Sequence, residues 1–321
     1  MRAAICREHG PPEVVRVENH IVPPAGPGQI GVRVSTAAVN HPDVLLVADR
    51  YQVSVDTPFV PGSEFAGVVD EVGSSGTGFA VGDRVRGTAM HGAFAQRLVV
   101  DASSLSPIPE GVDDVTAAAA GVAHRTAYHS LRSVGRVKSG DELVVLGAGG
   151  GVGLAAVQLG VALGARVTAV ASSAEKLDAA ACYGATRLLD HTAVDLRAAL
   201  RENVPDGADV VLDPVGGALS EPALRSLRRR GRFVTVGFAS GAIPRIPLNL
   251  ILLKGVQLVG FQFQDVPADE FDRNEGELRE LLTSERVKPH VGAVFALDDI
   301  AAALRHVRDG RAIGKVLIDL R

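Results

Sequence analysis

The pattern of hydrophobic and polar positions changes character once along this chain, near Thr116. Before that residue, apolar residues fall at every second position in short stretches such as 13–17 and 30–34, which is typical of half-buried strands. Glycine- and proline-rich turns separate these stretches. Close-set short strands with such turns predict a small β-barrel or sandwich for residues 1–120.

After Thr116, apolar runs of strand length alternate with segments of helical composition. Such alternation predicts a parallel, doubly wound sheet and therefore an α/β domain. The final segment, 269–321, reads as helix, strand, helix, strand, and we expect it to return to the first domain. The strands predicted for the α/β domain lie at 143–146, 166–171, 186–190, 208–213, 232–237 and 256–261.

A glycine-rich turn at 147–153 joins the first of these strands to an apolar helix at 154–163. Its spacing, Ala148-x-Gly150-x-x-Gly153, is a variant of the dinucleotide-binding fingerprint. We expect Gly150 to let the backbone approach an anionic pyrophosphate at the helix N-terminus, and Gly153 to let the helix pack on the strand. An ordinary flexible loop is the alternative. The turn residues predicted to bind the cofactor are Gly149, Gly150, Gly151 and Val152.

The end of the second strand of this domain indicates which nicotinamide cofactor binds. NAD-binding sequences place Asp or Glu there, about twenty residues after the glycines, to hold the ribose 2′-OH. Here Ser172 and Ser173 occupy the tip and Lys176 follows, so hydroxyl groups and a positive charge suit a 2′-phosphate. We therefore expect NADPH. Glu175 counts against this choice, and a solvated helix residue is the alternative for Lys176.

Composition and charge restrict the remaining classes of protein. A net charge of -4 over 321 residues gives no reason to expect nucleic acid or an anionic membrane as a partner. Cys6 and Cys182 can form at most one disulfide and cannot build a four-cysteine zinc site. Residues 1–20 carry charges throughout, and no apolar stretch reaches the roughly 20 residues of a membrane span. We therefore expect a cytoplasmic protein without a signal peptide.

Several short motifs, in their order and spacing, give the chain a resemblance to a known family. It resembles the zinc-free quinone oxidoreductase branch of the medium-chain dehydrogenase/reductases, the branch that includes zeta-crystallin. The resemblance implies a GroES-like β-barrel catalytic domain built from 1–121 and 263–321, a Rossmann domain at 122–262 with the cofactor in the cleft, and a homodimer formed through the sixth strands. Besides the glycine turn, the motifs are Asn40-x-x-Asp43, Pro61-Gly62-Ser63-Glu64-x-x-Gly67-Val68-Val69, Gly82-Asp83-Arg84-Val85, Thr126-Ala127-Tyr128, Asp213-Pro214-Val215-Gly216-Gly217 and Gly314-Lys315-Val316.

The resemblance also implies roles for individual residues. Thr126 would lie against the nicotinamide, and Asn40 and Tyr51 would face the nicotinamide and the substrate. A loop-capping amide and a partly buried aromatic ring are the alternatives for these two. The family often has a second tyrosine where this chain has Leu45, so we expect a more apolar pocket. Further residues expected at the cofactor are His191 (otherwise a loop histidine), Val215, Val236, Gly237, Phe238, Ala239, Phe261, Gln262 and Phe263.

We expect no metal site in this chain. Zinc-dependent relatives use a cysteine early in the barrel and a histidine just before the matched glutamate, whereas this chain has Asn40 to Asp43 without a cysteine and Ser63 in the histidine place. Catalytic zinc requires three firm protein ligands, and Glu64 alone cannot replace them. We interpret Glu64 as a carboxylate in a barrel turn and His41 as a surface histidine.

These observations predict a zinc-independent oxidoreductase that transfers a hydride from NADPH to a quinone or a related electron-poor enone. An enoyl-thioester reductase of the enoyl-CoA type is an alternative on the same scaffold. The alternative from another class is a non-enzymatic cofactor-binding protein with a structural or RNA-binding role, of the zeta-crystallin kind. The acidic balance disfavours RNA.

Overall fold

The computed structural model describes residues 1–74 and 76–321, and its elements are numbered along the chain. The strands are β1 (Arg2–Cys6), β2 (Val15–Asn19), β3 (Gln29–Val39), β4 (Glu64–Val72), β5 (Arg84–Thr88), β6 (Arg97–Asp101), β7 (Leu105–Pro107), β8 (Glu142–Leu146), β9 (Arg166–Ala171), β10 (Arg187–Asp190), β11 (Ala208–Asp213), β12 (Leu227–Thr235), β13 (Gln257–Gly260), β14 (Val291–Ala296) and β15 (Lys315–Asp319). The helices are α1 (His41–Val47), α2 (Asp114–Ala120), α3 (Ala123–His129), α4 (Gly151–Ala162), α5 (Ala174–Cys182), α6 (Leu196–Asn203), α7 (Ser220–Ser226), α8 (Leu248–Lys254), α9 (Ala268–Thr283) and α10 (Ile300–Arg308).

These elements form two compact units. One contains Met1–Val122 and Pro289–Arg321, and the other contains Ala123–Lys288. The first boundary lies close to the predicted one between residues 121 and 122. The second differs from the prediction, because the chain stays in the second unit until Lys288 and does not leave it at residue 263.

Helix α9 accounts for this later boundary. It runs from Ala268 to Thr283, and one of its carboxylates binds side chains of α3. Arg125 Nε donates to Glu275 Oε1 at 2.8 Å, and His129 Nε2 lies 2.9 Å from the same oxygen. These partly buried contacts tie α9 to the second unit, and the sequence pattern gave no sign of them.

The second unit is built on a parallel sheet in the order β10-β9-β8-β11-β12-β13. The chain winds outward from β8 in one direction and then from β11 in the other, so the switch point lies between these two strands. Val144 of β8 lies opposite Val211 of β11, and both are fully buried. This is the predicted doubly wound architecture, and it favours ligand binding beyond the carboxyl ends of the strands near the switch point.

The first unit contains a seven-stranded sheet with the path β14-β15-β3-β4-β5-β7, in which β6 also pairs with β3. Strand β15 pairs antiparallel with β3, with Val316 opposite Val39. Both ends of the chain therefore build this unit, as predicted. Its core contains the fully buried rings of Phe65 and Phe94.

Strand β12 differs most from its predicted bounds, because it begins at Leu227 and ends at Thr235, whereas the prediction was 232–237. Its ladder with β11 pairs Ala208 with Leu227 and then jumps to Val210 with Arg232. The arginine-rich residues between these two pairs form an irregularity, which hides the start of the strand from a periodicity argument.

Candidate active site

The glycine turn follows β8 and leads directly into α4. Gly150 is the N-cap of this helix, with φ -83° and ψ 176°, so the first N–H groups of α4 have no partner within the helix. A Cβ added to Gly150 would meet only the Gly147 carbonyl oxygen, at 3.5 Å, whereas a Cβ on Gly153 would lie 2.0 Å from the same oxygen. The turn is therefore open at Gly150 and closed at Gly153.

A polar cluster lies beside this turn at the carboxyl end of β9. Lys176 Nζ donates to Ser172 Oγ at 3.1 Å, and Ser173 Oγ accepts from the Lys176 backbone N–H at 3.4 Å as the N-cap of α5. The aliphatic stem of Lys176 covers Gly149, where an added Cβ would lie 2.5 Å from the lysine Cβ. Partial burial lowers the pKa of Lys176. The three side chains predicted to recognise a 2′-phosphate are thus neighbours.

Two further predicted residues lie at the same edge of the sheet. The His191 backbone N–H donates to the carbonyl of Ala171, the last residue of β9, at 3.1 Å. Val215 follows β11, and its Cγ2 would lie 2.6 Å from a Cβ on Gly147. His191 therefore lies next to the end of β9, and Val215 lies next to the glycine turn.

The segments after β12 and β13 complete this edge. Ala239 N–H donates to Pro214 O at 3.1 Å, which places the loop Val236–Ala239 against the segment after β11. Phe261 N–H donates to Thr235 O at 3.1 Å, and the Phe261 and Phe263 rings lie 4.9 Å apart. Gln262 stands between them.

Helix α3 joins the same group through its aromatic contacts. The Arg125 guanidinium lies 5.4 Å from the Phe263 ring centroid, and the His129 ring lies 5.6 Å from it. Thr126 is part of this helix, whose orientation is fixed by the bonds to α9. The glycine turn, the Ser172 to Lys176 cluster, His191, Val215 and the segments after β12 and β13 thus lie at the carboxyl edge of the sheet, and α3, which carries Thr126, contacts Phe263.

Asp213 also organises this edge, although it is not among the residues predicted for the site. Its fully buried carboxylate accepts from the backbone N–H groups of Val215 and Gly216, both at 2.8 Å. It also accepts from Ser220 Oγ at 2.6 Å. The Asp-Pro-Val-Gly-Gly motif was the available signal, but the direction of the carboxylate depends on the folded loop.

The first unit holds Asn40 and Tyr51, the two residues predicted to face the substrate. Asn40 lies between β3 and α1, and its Nδ2 donates to Glu64 Oε2 at 3.0 Å. Lys315 Nζ donates to Asn40 Oδ1 at 2.5 Å and to Glu64 Oε2 at 2.9 Å. The Tyr51 ring is half-buried against the hydrophobic core of this unit.

Two interpretations of barrel residues require correction. Glu64 is the first residue of strand β4 and not part of a turn; it is 1 % exposed and pairs with Lys315. His41 is half-buried and not a surface residue, and burial lowers its pKa. Both errors have one cause, because burial in a barrel depends on strands far away in the sequence.

Comparison with known proteins agrees with this architecture. Residues 26–110 match the family model described as alcohol dehydrogenase GroES-like domain, and residues 151–279 match the one described as zinc-binding dehydrogenase. Quinone oxidoreductase-like protein 2 from Bos taurus is 35 % identical over 328 residues, covering 100 % of this chain and 93 % of the relative. The chain belongs to the quinone oxidoreductase branch of the medium-chain dehydrogenase/reductase family.

Solved structures of family members are similar along nearly the whole chain. The Escherichia coli quinone oxidoreductase complexed with NADPH has a TM-score of 0.93 at 27 % identity, covering 99 % of this chain and 100 % of the other. A mycobacterial protein complexed with NADPH has a TM-score of 0.91 at 31 % identity, covering 99 % of both chains. This member of the medium-chain dehydrogenase/reductases is therefore an oxidoreductase.

One of the two matching family models is named for zinc binding, which raises the question whether this medium-chain dehydrogenase/reductase has side chains that could hold the ion. Within 1–74 and 76–321, no three His, Cys, Asp or Glu side chains group closely enough to hold a metal ion. Across the same ranges, none of the helices combines the length and the apolar character needed to cross a membrane.

Asp43 gives the first unit of this family member a pH-dependent stability. Burial raises the pKa of its carboxyl group from the ordinary 3.8 to about 7, against the lowering effect of the Asn40 N–H bond at 2.7 Å. A raised pKa means that the folded state holds the proton more tightly than the unfolded state does. Protonation of Asp43 therefore adds to the free energy of unfolding below about pH 4, and this stabilisation is lost as the pH rises through about 7.

We therefore expect Asp43→Asn to flatten the pH dependence of stability. The difference in unfolding free energy between about pH 5 and about pH 8 should shrink by roughly 1–4 kcal/mol. Denaturant unfolding at both pH values measures this difference. Asp178→Asn, on the exposed face of α5, is the control; an equal slope for wild type and Asp43→Asn would contradict the raised pKa.

Proposed function

We propose that this oxidoreductase transfers a hydride from NADPH to a quinone or a related electron-poor enone, and that it does so without zinc. The observation that carries the proposal is the cluster of Ser172, Ser173 and Lys176 beside the open glycine turn, with no carboxylate at the strand tip. The names of the relatives and of the NADPH-complexed structures support the cofactor and the substrate class.

The second unit has the chemistry that NADPH binding requires. The open space at Gly150 and the free first-turn N–H groups of α4 suit a pyrophosphate, so Gly149, Gly150, Gly151 and Val152 would hold it. Ser172, Ser173 and Lys176 would bind the 2′-phosphate, with His191 at the adenosine end. NADPH supplies the hydride when it is bound. Thr126, Val215, the loop Val236–Ala239 and Phe261–Phe263 would orient the nicotinamide and exclude water.

In the first unit, Asn40 and Tyr51 would act on the acceptor. Hydride addition to a conjugated carbonyl places negative charge on its oxygen, and a positioned N–H or O–H donor stabilises that charge. Asn40 would donate from its amide nitrogen. Tyr51 would donate from its hydroxyl group, and solvent can complete the protonation of the product.

A turnover assay tests this proposal. NADPH oxidation should depend on a quinone or a small enone, and metal analysis should find no stoichiometric zinc while a chelator leaves the rate unchanged. An enoyl-CoA substrate in the same panel tests the alternative on this scaffold. One tightly bound zinc per chain, or turnover with the thioester alone, would overturn the proposal.

Tyr51→Phe should lower kcat by a few-fold to about 10-fold, the value of one hydrogen bond, and leave NADPH affinity unchanged. The ring keeps its packing, so stability should not change. Comparing a quinone with a simple enone separates two roles, because proton donation matters more for the weaker acceptor. Tyr183→Phe, in the second unit, is the control; unchanged kcat on both substrates would leave Tyr51 as a wall of the pocket.

We also propose a homodimer and a cytoplasmic location. Strand β13 is an edge of its sheet, and edge strands expose unpaired backbone groups. Leu258 on β13 is 43 % exposed, and Leu252 and Leu253 on α8 are 82 % and 65 % exposed. Light scattering should give twice the chain mass of 33.3 kDa, and a monomer would contradict the dimer. The two free cysteines support the location.

A further inference from the structure

Lys315 is a charged side chain in the interior of the first unit, where it is 3 % exposed. It is the first residue of β15, and its backbone N–H donates to His290 O at 2.7 Å. Gly314 makes this position possible, since it has φ +65° and a Cβ there would lie 2.3 Å from the same carbonyl oxygen. The Gly-Lys pair thus directs an ammonium group into the barrel.

Two groups compensate this buried charge. Lys315 Nζ donates to Glu64 Oε2 at 2.9 Å and to Asn40 Oδ1 at 2.5 Å. The other carboxylate oxygen, Glu64 Oε1, accepts from the Val122 backbone N–H at 2.7 Å. A buried charge requires such pairing, so the three side chains form one coupled unit.

This pairing fixes the orientation of the Asn40 amide. Its oxygen faces the ammonium of Lys315, and its nitrogen faces the carboxylate of Glu64. A flipped amide would place NH₂ against the ammonium and C=O against the carboxylate, so both neighbours require the same orientation. Among the described residues, the amide nitrogen has two longer hydrogen bonds besides the one to Glu64, 3.4 Å to Ser63 Oγ and 3.4 Å to Ala38 O, and Asn40 is 7 % exposed.

We propose that Lys315 is a positioning residue of the reductase: together with Glu64 it locks Asn40 so that the site presents an N–H donor to the acceptor and selects substrates that offer a carbonyl oxygen. The inference rests on the proposed function. The locked amide would donate to the oxygen on which negative charge develops, and it costs no reorganisation during the reaction.

The test is a mutant cycle on the purified full-length protein, with kcat on a quinone and NADPH affinity as readouts. Lys315→Met combined with Glu64→Gln removes both members of the buried ion pair together, so neither is left as a lone charge. We expect it to fold, to bind NADPH within about twofold of wild type, and to lower kcat about 3- to 10-fold, the effect of one hydrogen bond. Lys254→Met, which removes a partly buried lysine in the second unit, should leave kcat unchanged.

Adding Asn40→Ala tests whether Lys315 and Glu64 act on kcat by orienting Asn40 or only by stabilising the fold. Asn40→Ala should lower kcat in the wild-type background and have no further effect in the double variant. Additive losses, or a double variant with wild-type kcat, would overturn the positioning role while the proposed function stands. If wild type reduces no quinone or enone, the proposed function fails first. Should the double variant not fold, Lys315→Arg keeps the charge, displaces the donor and enters the same cycle.

Discussion

Gly150→Val is expected to abolish NADPH binding and to leave the protein folded. The backbone at Gly150 has φ -83°, which any residue can adopt, and an added Cβ meets the chain only at 3.5 Å. The side chain would therefore occupy the space in front of the N–H groups of α4, where the pyrophosphate is proposed to bind. Fluorescence titration with NADPH should lose its saturable signal, while circular dichroism and the thermal midpoint stay near wild type.

Two other glycines make this result specific. Gly153→Ala should destabilise folding itself, because its Cβ would lie 2.0 Å from Gly147 O. Gly276→Ala, in α9 with no atom within 4 Å of the added Cβ, should change neither stability nor binding. Retained NADPH affinity in Gly150→Val would show that the phosphate contact lies elsewhere.

Lys176→Ala is expected to weaken NADPH binding about 10- to 100-fold and to leave NADH binding nearly unchanged. A charge-assisted hydrogen bond contributes about 1.5–3 kcal/mol, and the 2′-phosphate is the only group that distinguishes the two cofactors. Lys176 Nζ lies 3.1 Å from Ser172 Oγ, so the ammonium and the hydroxyl group are close enough to contact the same phosphate. Competitive titration of both cofactors measures the ratio of the two affinities.

The stem of Lys176 requires a separate variant, because it covers Gly149. Lys176→Met keeps an apolar stem and removes the charge, so it should lose the same preference for NADPH as Lys176→Ala. Lys138→Ala, an exposed lysine of the same unit, controls for a general loss of positive charge. Equal losses for NADPH and NADH, or recovery by methionine, would mean that Lys176 acts through packing alone.

The elements that the sequence predicted well are those whose signal is local. β9 and β11 have their predicted bounds because each is a short apolar run ended by turn residues. The glycine turn could be predicted because the spacing of its glycines indicates where the backbone must come close to a bound phosphate or to the neighbouring strand. Helix α1 was missed because its seven residues are too few to establish a helical period.

By itself, the sequence determined the two kinds of domain, the parallel sheet, the turn at its centre and the absence of an acid at the tip of β9. These follow from periodicity and from residue chemistry within a few positions. Only the tertiary structure decided that α9 packs on α3 and that Glu64 and Lys315 are buried partners of Asn40. Lys315 is 275 residues from Asn40, and the local sequence does not indicate which strands pair in the folded barrel. Burial, which makes such a charge pair obligatory, exists only after those strands have paired.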